Sequence, residues 1–121
     1  MLKIIAEKNI LTPDAVKEKI MLKLNALERL VSSVGEPNEM RVQLEKMNYF
    51  EPKGNVFRCE INVRIPGKLL RAESKKTDII AAAADAKNTM ERLLKQYKEK
   101  QFQNAKSDMR AIKKEIKNNP L

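Results

Sequence analysis

Apolar residues change their spacing twice along this chain, and that double change constrains the fold more than any single motif. Val16, Ile20, Leu24, Leu27 and Val31 recur at intervals of 4, 4, 3 and 4, which sets them on one stripe of an amphipathic helix. From Met40 the interval falls to two. Met40, Val42 and Leu44 alternate with Arg41, Gln43 and Glu45, and Phe57, Cys59, Ile61, Val63 and Ile65 alternate with Arg58, Glu60, Asn62 and Arg64. Alternation of this kind belongs to half-buried strands. The helical interval then returns, with Ile79, Ala83, Ala86, Met90, Leu94 and Tyr97 at spacings of 4, 3, 4, 4 and 3.

Turn and cap residues punctuate the same segments. Residues 2–11 read as a short β-type segment that stops at Thr12-Pro13-Asp14, where Thr12 suits a helix cap and Pro13 the first helical position. The first helix is expected to end near Val34-Gly35, with Pro37 beyond. A loop over residues 48–55 contains Pro52 and Gly54, and Pro66-Gly67 supplies a tight turn into a third strand over 68–74. Either Thr77 or Asp78 caps the last helix. The resulting order, β-α-β-β-β-α, predicts an α+β two-layer sandwich in which a four-stranded sheet carries both helices on one face.

Beyond Tyr97 a second stripe, Phe102, Ala105, Met109, Ile112 and Ile116, keeps helical spacing but faces about a quarter-turn away at roughly 100° per residue. Either the helix runs on and offers this stripe to a partner, or it breaks near residues 101–104 and folds back. Asn118-Asn119-Pro120 reads as a stop signal. The chain is therefore divided into a β-α-β-β-β-α domain over residues 1–100 and a basic amphipathic helical extension over 101–121.

The composition narrows the chemistry. Without His and with Cys59 alone, neither the usual zinc constellations nor a Ser-His or Cys-His nucleophile pair can form. Cys59 belongs to the apolar side of its strand, so it reads as a small core residue. The three glycines stand apart and make no phosphate loop. The longest wholly apolar run is six residues, 79–84, too short to span a membrane. The expectation is a cytoplasmic protein that is not an enzyme, with no cofactor, metal or small-molecule substrate, and monomeric.

Charge points to a polyanion. The chain carries 25 Lys and Arg against 16 Asp and Glu, a net charge of +9, and residues 75–121 hold +6 of it. A basic domain of this kind suits nucleic acid, since each phosphate neutralised releases condensed counterions. On the first helix Lys19 and Lys23 are one turn apart beside Ala26 and Leu30, with Lys17 and Arg29 elsewhere on its exposed surface. On the second, Arg92 and Lys95 lie opposite the apolar stripe and Lys98 at its flank. If both helices cover one sheet face, these surfaces adjoin as a basic ridge suited to structured RNA recognised by shape. Tyr49 and Phe50 in the loop either stack on bases or anchor the loop to the protein's own surface.

The segments Leu70-Arg71-Ala72-Glu73-Ser74, Thr77-Asp78-Ile79-Ile80-Ala81-Ala82-Ala83 and Met90-Glu91-Arg92-Leu93-Leu94-Lys95-Gln96-Tyr97-Lys98 resemble the ribosome hibernation-promoting factor family, also called ribosome-associated inhibitor A. Asn9-Ile10 followed by Thr12, then Lys17, Lys23-Leu24 and Leu27-Glu28-Arg29, lie in the family's order, so the resemblance spans about residues 2–100, the extent of the family's short form. It implies a stress-response factor that lodges in the small ribosomal subunit along the messenger RNA channel and the decoding sites for transfer RNA, inhibiting translation and preserving idle ribosomes by occupancy. It also implies contact with ribosomal RNA through Lys17, Lys23 and Arg29 of the first helix, Arg92, Lys95, Lys98 and Lys100 of the second, and Arg71 of the adjoining strand. Ala26, Thr89 and Gln96 stand where members commonly carry Lys, which thins the ridge. Two other functions fit the residues: a free double-stranded-RNA module, whose usual order begins with a helix, and a protein adaptor using the 102–116 stripe.

Overall fold

In a computed structural model, which describes the backbone of residues 2–47 and 54–118 and the side chains of residues 3–47 and 54–104, the chain opens with strand β1 (Leu2–Lys8). Asn9 ends it three residues short of the expected limit by adopting a left-handed φ of +55°, a conformation Asn tolerates better than most residues. Helix α1 (Asp14–Ser32) follows, then β2 (Glu39–Met47), β3 (Val56–Ile65), β4 (Lys68–Lys76) and α2 (Ile79–Asn118). The predicted β-α-β-β-β-α succession is the observed one.

The start of α1 corrects one expectation. Pro13, with an extended ψ of 148°, occupies the capping position, and no side chain caps the helix. The first helical bond runs from the Lys17 N–H to the Pro13 carbonyl at 2.9 Å. Thr12 is one residue too early to cap. Its side chain is buried instead, and its N–H donates to Glu7 Oε2 at 3.3 Å. At α2 the two candidates resolve in favour of Asp78, whose Oδ1 accepts the Ile80 N–H at 3.1 Å.

The sheet order is β1-β2-β3-β4. β1 runs parallel to β2, with Ile5 opposite Val42, and α1 makes the crossover between them. The other pairs are antiparallel, bringing Val42 opposite Ile61 and Ile61 opposite Ala72. Pro66 and Gly67 close the β3–β4 hairpin. Gly67, at φ +73°, takes the left-handed position that glycine adopts without steric cost.

Both helices cover one face of this sheet. Ile20, Leu24, Leu27 and Val31 of α1 meet Met40, Val42, Leu44, Cys59, Ile61 and Val63 of the strands and Ala82, Ala83, Ala86, Met90 and Leu94 of α2, all withdrawn from water. Each large aliphatic side chain so buried contributes about 1.5–3 kcal/mol to the hydrophobic term. Val16 and Tyr97, at the ends of the predicted stripes, are partly buried.

α2 continues as one helix to Asn118, so the chain does not break at residues 101–104. Phe102 is exposed. The side chains of Ala105, Met109, Ile112 and Ile116 lie outside the described residues, as do Tyr49 and Phe50.

Candidate RNA interface

The eight basic residues singled out from the sequence fall into four environments. Lys17 is directed at the edge strand, where its Nζ lies 2.6 Å from Glu7 Oε1, while Lys3 of β1 reaches Glu28 of α1 at 3.1 Å. These two pairs fasten one flank of α1 to β1. The hydrogen bond to Lys17 holds the Glu7 carboxyl below its usual range, and the same bond raises the Lys17 ammonium.

Lys19, Lys23 and Leu30 stand on the other side of the α1 core stripe, about 120–180° around the helix from Lys17 at roughly 100° per residue. That flank faces α2. Leu30 packs partly against the core there, and Lys23 and Lys19 are exposed with no ion pair among the described residues. Arg29 projects from the outer surface of α1.

On α2 the flank toward α1 is marked by Lys98, whose Nζ donates to Ser33 Oγ at 2.9 Å just past the end of α1. Lys87, Glu91 and Lys95 share that flank. Glu91 bridges the two lysines at 3.2 and 3.4 Å, and its carboxyl is held low first by the Lys87 hydrogen bond. Arg92 points outward beside Lys95. The opposite flank is tied to the sheet through Asp85, which accepts a 2.7 Å hydrogen bond from buried Ser74 of β4. Lys100 is exposed beyond Tyr97, whose hydroxyl donates to the Pro66 carbonyl at 2.8 Å.

The structure thus brings Lys23, Lys95 and Lys98 to the seam between the helices, with Arg29 and Arg92 on the adjoining outer surfaces. Lys87 joins them. It was absent from the sequence-derived set, although the Lys87, Lys95, Lys98 spacing of 8 and 3 carries the signal.

Arg71 lies elsewhere. It projects from the sheet face away from the helices, paired at 3.1 Å with both Glu60 and Glu73. On the same face Arg58 meets Glu45 at 3.3 Å, Glu73 at 3.1 Å and Glu60. The sheet face therefore compensates much of its own charge, whereas the helical seam presents cations with few acidic partners.

Catalytic chemistry has little to work with. Among the described residues no group of His, Cys, Asp and Glu could hold a metal ion. Burial pushes the Cys59 thiol up to about 12, which keeps it protonated and inert. No helix among the described residues is long and apolar enough to cross a membrane.

Comparison with known proteins decides the family. The model describing the sigma 54 modulation protein / S30EA ribosomal protein family matches residues 4–101, most of the chain. The chain belongs to that family. The Thermus thermophilus Protein Y N-terminal domain is similar at 26% identity and a TM-score of 0.60, over 80% of this chain and 99% of that one. A ribosomal subunit interface protein from Coxiella burnetii shares the fold, with 15% identity, a TM-score of 0.58, and coverage of 81% and 98%. No curated protein sequence matches. Membership makes this chain a ribosome-associated inhibitor of the hibernation type, a class of ribosome-binding factors that act without catalysis.

Proposed function

We propose that this member of the family binds the small ribosomal subunit by laying the seam between α1 and α2 against ribosomal RNA. It occupies the messenger RNA channel and the transfer RNA decoding sites, and it excludes both ligands sterically. The observation that carries this reading is the alignment of Lys19 and Lys23 with Lys87, Lys95 and Lys98 along two directly packed helices. Long cations on a rigid surface match phosphates spaced several ångströms apart, and they confer strong salt dependence. Lys23, Arg29, Arg92, Lys95 and Lys98 are the proposed RNA contacts of this surface, with Lys100, on the far side of α2 beyond Tyr97, as a further one. Lys17 and Arg71 serve mainly in ion pairs within the fold. The protein acts as a cytoplasmic monomer, with residues 1–100 as the ribosome-binding unit and 101–121 as its basic extension.

A free duplex-RNA module is less well supported, because the chain opens with a strand hydrogen-bonded parallel to β2 instead of a helix.

Co-sedimentation with isolated small subunits across a salt series tests the proposal. Saturable binding that weakens with salt and is opposed by messenger RNA and initiator transfer RNA is expected. Absence of binding at low salt overturns it.

A further inference from the structure

At the end of the sheet where both helices begin, the inner face carries a row unlike the apolar rows behind it. Lys46 of β2 lies opposite Phe57 of β3, and Phe57 lies opposite Lys76 of β4. Two cations thus flank one aromatic ring. Neither lysine has an ion pair among the described residues, and Phe57 is only partly buried against the core.

Beside this row is a cavity of about 360 Å³ whose walls include Ile10, Leu11, Thr12, Phe57 and Lys46, a size at the lower end of small-ligand sites. Leu11 is 94% exposed on its rim. Thr12 is only 6% exposed, and its hydroxyl oxygen, buried behind the cavity wall, makes no hydrogen bond among the described residues. A polar group so withdrawn from water normally has a partner. The start of α1 adjoins the same cavity, and no side chain caps it, because Pro13 occupies that position.

We infer that this recess takes one unpaired nucleotide of an RNA strand, a contact separate from the helical seam and resting on the ribosomal reading above. The base enters between the apolar wall and Phe57, where stacking requires no particular sequence. Lys46 and Lys76 hold the phosphates on either side. A paired base presents only its groove edges and cannot enter, so the recess selects single strands. Asp78, the nearest acid on α2, is engaged in capping that helix, and Asp14 lies in the first turn of α1.

The test uses the full chain and a fluorescently labelled hexauridine RNA, with a six-base-pair RNA duplex for comparison. Anisotropy should show salt-sensitive binding of the single strand. Phe57→Leu should weaken it on the order of tenfold, and Lys46→Gln with Lys76→Gln should flatten its salt dependence. Thr12→Val is the control. It removes an unpartnered hydroxyl buried behind the cavity wall, so it should raise the melting temperature and leave hexauridine binding unchanged. Amide shifts of residues 10–13 and 57 should lead the NMR titration of the wild-type chain. No binding of the single strand, or equal binding by wild type and Phe57→Leu, overturns the recess. Sedimentation of the same proteins with small subunits is scored separately: failure of the wild type there overturns the ribosomal reading, whereas wild-type sedimentation with unaltered hexauridine binding by Phe57→Leu and the double lysine variant overturns the recess alone.

Discussion

Arg58 stands on the outer sheet face with its side chain only 12% exposed, enclosed by Glu45, Glu60 and Glu73. Three carboxylates this close repel one another unless a cation sits among them. Burial alone would raise the Glu60 carboxyl, but hydrogen bonds from Asn62 and Arg58 outweigh it and hold the group below the ordinary value of 4.5. Glu73 is held low chiefly by its hydrogen bond from Arg58. Arg58→Met keeps most of the apolar stem but leaves the acids without their shared partner, and it should cost roughly 3 kcal/mol at pH 7 by urea unfolding. The pH dependence has a definite sign. Carboxyls lowered in the folded state contribute stability that is present above 4.5 and lost as pH falls through their folded values. The difference between wild type and Arg58→Met should therefore narrow below pH 4, and urea midpoints from pH 7 to pH 3 would measure it.

Among the elements, α2 offers the cleanest test of a cap. Asp78 Oδ1 accepts the Ile80 N–H and Thr77 makes no such bond, so Asp78→Ala should cost about 1 kcal/mol. Thr77→Ala should stay within about 0.5 kcal/mol of wild type, with thermal or urea unfolding as the measure. From the residue types alone the two candidates were equivalent, since the backbone angles that choose between them depend on how the chain leaves β4. Thr12 failed as a cap for a related reason: an extended Pro13 moved the helix start one residue later. The apolar stripes, by contrast, were legible almost residue by residue, because Ile20, Leu24, Leu27 and Val31 must share one helical face wherever that face is buried. Strand order and the parallel pairing of β1 were not, since periodicity reports which face is buried and says nothing of which strand lies beside it. Arg71 shows the same distinction within the candidate site. Lying between buried Leu70 and Ala72, it had to face away from the helices; family resemblance, not alternation, grouped it with the ridge. The Lys17–Glu7 bond was hidden because it joins elements whose adjacency only the fold supplies.

At the scale of the molecule, the two faces handle charge differently. On the sheet side Arg58, Arg71 and Lys75 are matched against Glu45, Glu60 and Glu73, so this cluster projects little net field outward. On the helical side Glu91 is the acid that bridges Lys87 and Lys95, while Lys19, Lys23 and Arg92 have no ion pair among the described residues. A polyanion approaching from solution meets attraction mainly from the helices. Removing two of their cations together, Lys23→Gln with Lys95→Gln, should lower small-subunit affinity and reduce the slope of log affinity against log salt by about 1.5 to 2. Exposed side chains contribute little to the fold, so the melting temperature should stay nearly unchanged. Arg71→Gln should do the converse: it breaks partly exposed pairs with Glu60 and Glu73, lowers stability by up to about 1 kcal/mol, and leaves the salt slope alone. If Arg71→Gln flattened the slope while the helical pair did not, the RNA would have to lie on the sheet face, where cations must first be separated from their carboxylates before they can meet phosphate. Binding measured for both variants over one salt series separates these geometries without requiring a structure of the complex.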